Sequence, residues 1–153
     1  MKTSLFSSFA LALLLSGCED PNAQEIAALR QHDYVALSPM AILVPKTKVA
    51  SAADTMASLR PNTQVLYCEG SAMSPRYKDG TALVVENVSF DSLEEGMTSV
   101  SHDASGLIVV RYLAKKTAEG WMTIDLSADG EPPVLLQASR YVGVVIMAFS
   151  PED

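Results

Sequence analysis

The chain has 153 residues and carries 18 acidic side chains against 11 Lys and Arg, a formal charge of −7. That balance excludes a protein that holds nucleic acid by its phosphates, which takes clustered Lys and Arg that are not present here. His32 and His102 are the only histidines, and with two cysteines there is no ligand set for a metal and no cofactor motif, so neither is expected.

Lys2 supplies one cation, Leu5 to Leu15 is apolar apart from Ser7 and Ser8, and small residues then lead to Cys18. This is the order of parts of a signal peptide, and the apolar run is about half of the ~20 residues that a spanning helix needs. The segment Leu15-Ser16-Gly17-Cys18 resembles the lipobox of bacterial lipoproteins. The resemblance implies cleavage before Cys18, a diacylglycerol on its sulfur and usually a third acyl chain on its amine. Burial of acyl groups at about 0.8 kcal/mol per CH₂ would make that attachment effectively permanent. Residues 1–17 are then a leader, and the rest is a domain lipid-anchored in the bacterial cell envelope, facing the periplasm or the exterior. Loss of the leader removes Lys2 and moves the formal charge from −7 to −8. Once Cys18 is alkylated, Cys68 has no partner for a disulfide and reads as a small buried hydrophobe.

Residues 18–24 are polar, contain Pro21 and read as a tether. Residues 25–60 form an N-terminal helical and extended segment. A short helix is expected at Glu25 to Gln31. Tyr34 to Val44 is apolar but interrupted by Pro39 and closed by Pro45, which predicts an extended piece with edge or loop character. From Val49 to Leu59, Val49, Ala53, Met56 and Leu59 recur at helical spacing, predicting an amphipathic helix with those four on one side.

Beyond Pro61 the pattern turns to short β-type runs: Val65 to Cys68, Thr81 to Val88, Met97 to Ser101, Leu107 to Leu113, Trp121 to Leu126 and Tyr141 to Phe149. Residues 61–153 therefore read as one β domain, and the fold class as mainly β with short N-terminal helices. Asp79-Gly80 and Ser105-Gly106 are placed to turn one run into the next. Leu107-Ile108-Val109-Val110 is continuously apolar and predicts a strand covered on both faces, while Gly143 predicts a bulge or a close backbone approach. No further segment is long enough to span a bilayer, Tyr141 to Phe149 being about nine residues.

The segment Gly70-Ser71-Ala72-Met73-Ser74-Pro75, followed by Lys78-Asp79-Gly80 and the valine-rich Thr81 to Glu86, resembles the Gly-x-Ser-Met-x-Pro box of a serine peptidase superfamily. That superfamily includes type I signal peptidase and the LexA-type self-cleaving repressors. Leu93-Glu94-Glu95-Gly96-Met97 is similar to its second turn, and Val109-Val110-Arg111-Tyr112 falls where it carries its general base before an Arg. Gly120-Trp121 and Tyr141 to Val145 fit its later strands. The resemblance runs from about residue 65 to 149 and implies a coiled β-sheet or partly open barrel with a cleft for an extended peptide. Along the chain the cleft would be formed by Gly70, Ser71, Ala72, Met73, Ser74, Pro75, Val110 and Arg111.

Two departures decide the expected activity. With Met73 and Pro75 fixing the register, Ala72 stands at the nucleophile position; with Arg111 fixing the second, Val110 stands at the base position. The mechanism needs a hydroxyl whose proton passes to a neutral Lys or an oriented His, and neither a methyl nor an isopropyl group can take part. The expectation is an inactive peptidase-like module that binds an extended peptide or the tail of an envelope protein by strand addition. Two alternatives stay open. One is an active peptidase with its nucleophile moved to Ser71 or Ser74 and its base to His102, Lys115 or Lys116, although a shift of one residue along a strand turns a side chain to the opposite face. The other is a structural envelope lipoprotein that uses a different surface. Lys115 and Lys116 otherwise read as a solvated hairpin end, and His102 as a loop residue beside Asp103.

Overall fold

The computed structural model describes residues 38–70, 76–125 and 131–153. The proposed leader, Cys18, the tether, the helix at Glu25 to Gln31 and the residues Ser71 to Pro75 lie outside them. The chain is mainly β: among the described residues, a curled, largely antiparallel half-barrel sheet with one short α-helix. Its elements in order are β1 (Ala41–Val44), α1 (Val49–Ser58), β2 (Thr63–Tyr67), β3 (Ala82–Glu86), β4 (Thr98–His102), β5 (Ile108–Lys116), β6 (Trp121–Ile124), β7 (Val134–Leu136) and β8 (Tyr141–Pro151). Seven of the eight strands lie in the order β2-β3-β8-β4-β5-β6-β7, and β1 pairs with β8 beside that path.

The long β8 organises the sheet. On one side it pairs antiparallel with β3, Ala82 opposite Phe149 and Glu86 opposite Val144. Its other side is shared, because β4 takes Tyr141 to Val144 and β1 runs parallel to Ala148 to Pro151. Gly143 sits where this crowding is greatest: a Cβ there would stand 2.7 Å from the Glu86 carbonyl oxygen and 2.7 Å from Val85 Cγ1. The register of β8 also shifts against both β3 and β4 in this region. The close approach expected of Gly143 is thus present.

Strand β3 is buried from Ala82 to Val85 because it is covered on both faces. Side chains alternate along a strand, so Ala82 and Val84 meet Val49 and Ala53 of α1 and Phe149, while Leu83 and Val85 enter a second cluster with Tyr77, Val100, Tyr112 and Val145. Full burial of each such Leu or Val contributes about 1.5–3 kcal/mol relative to exposure. A third cluster joins Leu93, Leu113, Trp121, Leu136 and Val144.

Helix α1 follows the predicted spacing through Val49 and Ala53, which are buried, and Met56, which is half-buried. Leu59 departs from it. It is the C-cap, 70% exposed, and its own N–H closes the last turn on the Met56 carbonyl. The apolar run at the start of β5 also departs from expectation. Leu107 and Ile108 are 66% and 51% exposed, and Val109 and Val110 are only half-buried. Their side chains do not fill a two-sided core; Ile108, Val109 and Val110 line an open groove. The turn before them is as predicted: Asp103 Oδ1 accepts from Ser105 N (2.8 Å) and Leu107 N (2.9 Å), and Gly106 takes φ +86°.

Candidate functional site

The half-barrel leaves a seam. Strand β2 ends the sheet and pairs only with β3 among the described strands. Strand β5 pairs with β4 through Ile108 to Tyr112, but β6 joins it only from Tyr112 onward. Among the described residues Ile108 to Arg111 therefore carry a ladder on one side alone, and an unpaired strand edge is a template for a further strand. A groove of about 400 Å³ lies at this seam, between Leu66 to Gly70 on one side and Ile108 to Arg111 on the other. Leu83 lies between them, Asp125 and Glu131 complete the lining, and Tyr67, Leu107 and Ile108 expose apolar surface beside it.

Of the residues singled out in the sequence, Gly70, Val110 and Arg111 are brought together in this groove. Ser71, Ala72, Met73, Ser74 and Pro75 are outside the described residues, and their flanks are held at both ends. On one flank the Gly70 N–H donates to Asp79 Oδ1 (2.8 Å), where Asp79 and Gly80 form the predicted turn and Gly80 N–H donates to the Cys68 carbonyl (2.9 Å). On the other, Arg76 donates to the Ser38 carbonyl and Tyr77 Oη donates to that of Pro39 (2.8 Å). Ser38 is in turn fixed to the start of β4, through the Gly96 carbonyl (2.7 Å) and the Thr98 hydroxyl (2.5 Å).

Val110 stands opposite Val100 of β4 and packs against the cluster of Tyr77, Leu83 and Tyr112. Arg111 is 9% exposed; it donates to the Glu131 carboxylate, and its Nη1 is buried with no hydrogen-bond partner among the described residues. Its carbonyl accepts from Ser99 Oγ (3.0 Å), which fixes the backbone of β5 here. Glu131 is 71% exposed in its side chain. Sequence reasoning passed over Glu69, Asp125 and Glu131, since nothing in the chain marks an acid 20 residues away as the partner of Arg111.

Cys68, read as a buried hydrophobe, is half-buried in the groove wall. Burial, reinforced by the nearby Asp79 carboxylate, pushes its thiol up to about 11. A thiol so placed is protonated at neutral pH and a poor nucleophile. The candidates for a relocated base stand apart. Lys115 and Lys116 are exposed at the far end of β5, Lys116 lying 5.9 Å over the Trp121 ring. His102 ends β4, exposed, with Nδ1 3.1 Å from the Gly106 carbonyl oxygen. His102 and Arg111 both line a neighbouring depression of about 320 Å³, but His102 is not among the residues around the seam groove. Among the described residues of that groove there is no Ser, Thr, Lys or His. The groove can pair a strand, bury apolar side chains and place charges. Compared with models of known protein families and with curated proteins, the chain matches neither.

Proposed function

We propose that the chain is a lipid-anchored, catalytically inactive module related to the signal peptidase and LexA-type fold, which holds an extended peptide or a protein tail in its seam groove. The observation that carries this reading is the meeting of Gly70 with Val110 and Arg111 across a gap between two strand edges. A bound segment laid along either edge would gain main-chain hydrogen bonds, and the half-buried apolar walls would select its alternate side chains. Val110 offers no site for a proton, and a methyl group at position 72 no nucleophile.

The test uses the full chain in detergent micelles, titrated calorimetrically with capped peptides of small apolar residues and incubated with a serine-reactive fluorophosphonate. Saturable binding without labelling or cleavage is expected. Absence of saturation up to millimolar peptide contradicts the binding reading, and labelling of Ser71 or Ser74 contradicts the inactive one.

A further inference from the structure

The charges around the seam groove are unequal. Among its described lining residues, Glu69, Asp125 and Glu131 contribute three carboxylates and Arg111 the one basic side chain, in a molecule whose overall charge is already −7. Glu69 and Glu131 are exposed, so they stand at the rim; Arg111 is nine-tenths buried, so it belongs to the wall.

Arg111 adds an independent sign that something else completes the site. Its ion-pair partner Glu131 is largely exposed, and its Nη1 donor is buried with no acceptor among the described residues. A buried donor without a partner costs roughly 1–3 kcal/mol, and a guanidinium held through one exposed carboxylate can be re-aimed when that carboxylate finds another cation. A main-chain carbonyl of a segment lying in the groove is an acceptor of the right kind for that donor.

Resting on the peptide-binding reading above, we propose that the groove selects an extended apolar segment that carries a cationic side chain. The cation lies against the Glu69 and Glu131 carboxylates, and a carbonyl of the same segment accepts from Arg111. A free C-terminal carboxylate on Arg111 is the opposite arrangement, and it is disfavoured because it brings a further negative charge among three acids. The surrounding negative field also speeds encounter with a cationic partner and weakens with salt.

Two capped peptides test this on the full chain in detergent micelles: acetyl-Ala-Val-Lys-Ala-Val-Ala-amide and its counterpart with Glu in place of Lys. At low ionic strength the Lys peptide is expected to bind about tenfold more tightly, a factor that one such added attraction and one removed repulsion readily supply. That preference is expected to fall below about twofold in half-molar salt, where the Debye length is only a few ångströms, and in the double variant Glu69→Gln, Glu131→Gln. Both substitutions are at exposed positions, and circular dichroism of the double variant checks that its sheet is intact. Equal binding of the two peptides overturns the charge preference and leaves the peptide groove standing. Tighter binding of the Glu peptide also overturns it, assigning the free donor of Arg111 to a carboxylate. Binding of neither peptide overturns this proposal together with the reading on which it rests.

Discussion

Replacement of Gly143 by Ala probes the crossing on which the sheet is built. The added methyl would stand 2.7 Å from the Glu86 carbonyl oxygen and from Val85 Cγ1, and 3.1 Å from the Glu86 carbonyl carbon, well inside the 3.4 Å at which ordinary contact begins. Two of those three atoms are backbone, and Glu86 is tied by its ladder to Thr63 of β2 and Val144 of β8, so its carbonyl cannot yield without moving a strand. Overpacking of this kind costs about 1–3 kcal/mol and occasionally more, and the lost freedom of the unfolded chain returns about 0.4–1 kcal/mol. A net loss of about 2 kcal/mol, or roughly 8 °C in Tm for a domain of this size, is expected from thermal and urea unfolding. Gly106→Ala is the control. There a Cβ meets nothing within 4 Å and the φ of +86° alone is unfavourable, which costs about 1 kcal/mol. Gly143→Ala with parental stability, or a Gly106→Ala variant that loses more, would refute the close-approach reasoning.

Cys68 should react with iodoacetamide about a hundredfold more slowly at pH 8 than a thiol at its ordinary value of 9.0, because burial raises its own value to about 11; a rate equal to that of a free thiol contradicts the placement. Because the folded form holds the Cys68 proton more tightly, this group's contribution to stability is full below pH 9 and lost as pH rises toward 11, so Cys68→Ala should flatten the alkaline limb of the stability profile. The Asp103 carboxyl, held down by its hydrogen bonds from Ser105 and Leu107, should titrate by NMR below its ordinary 3.8, with its contribution to the hairpin lost as pH falls through that lowered midpoint; titration at or above 3.8 rules the turn geometry out. Tyr77→Phe removes the donor to the Pro39 carbonyl and should cost about 1 kcal/mol in urea unfolding, whereas an unchanged midpoint would mean that this hydrogen bond does not tie Pro39 to Tyr77. Expressed in a bacterium, the chain should be recovered from membranes with a mass that begins at an acylated Cys18, and Cys18→Ala should lose both the added mass and the membrane fraction; an unlipidated chain with an intact leader contradicts the anchor.

The elements that were legible in the sequence are those whose cause is local. Val49 and Ala53 repeat at helical spacing and are buried on one side of α1; Asp79-Gly80 and Ser105-Gly106 turn where turn chemistry places them; Gly143 marks the close approach of β8 to β3. What was not legible depends on partners distant in the chain. Strand β7 is three residues behind Pro132-Pro133, too short for alternation to be read, and exists because it pairs with Trp121 to Thr123. The proline-bracketed Ala41 to Val44 is visible as an extended piece, but its parallel pairing with a strand more than 100 residues later is not. Ile108 to Val110 line a groove, a placement that hydropathy cannot separate from core burial. Glu131 meets Arg111 through the fold of the sheet, across 20 residues of chain that no local pattern links.

The central claim is that a peptide lies along the seam between β2 and β5 and leaves uncut. It is tested most directly by photocrosslinking the full chain in micelles with an extended peptide that carries a benzophenone side chain, followed by mass mapping of the adducts and of the peptide itself. Adducts confined to Leu66 to Gly70 and Ile108 to Arg111, on an intact peptide, are predicted. Adducts spread over other surfaces, or a peptide recovered in two pieces, would contradict the account.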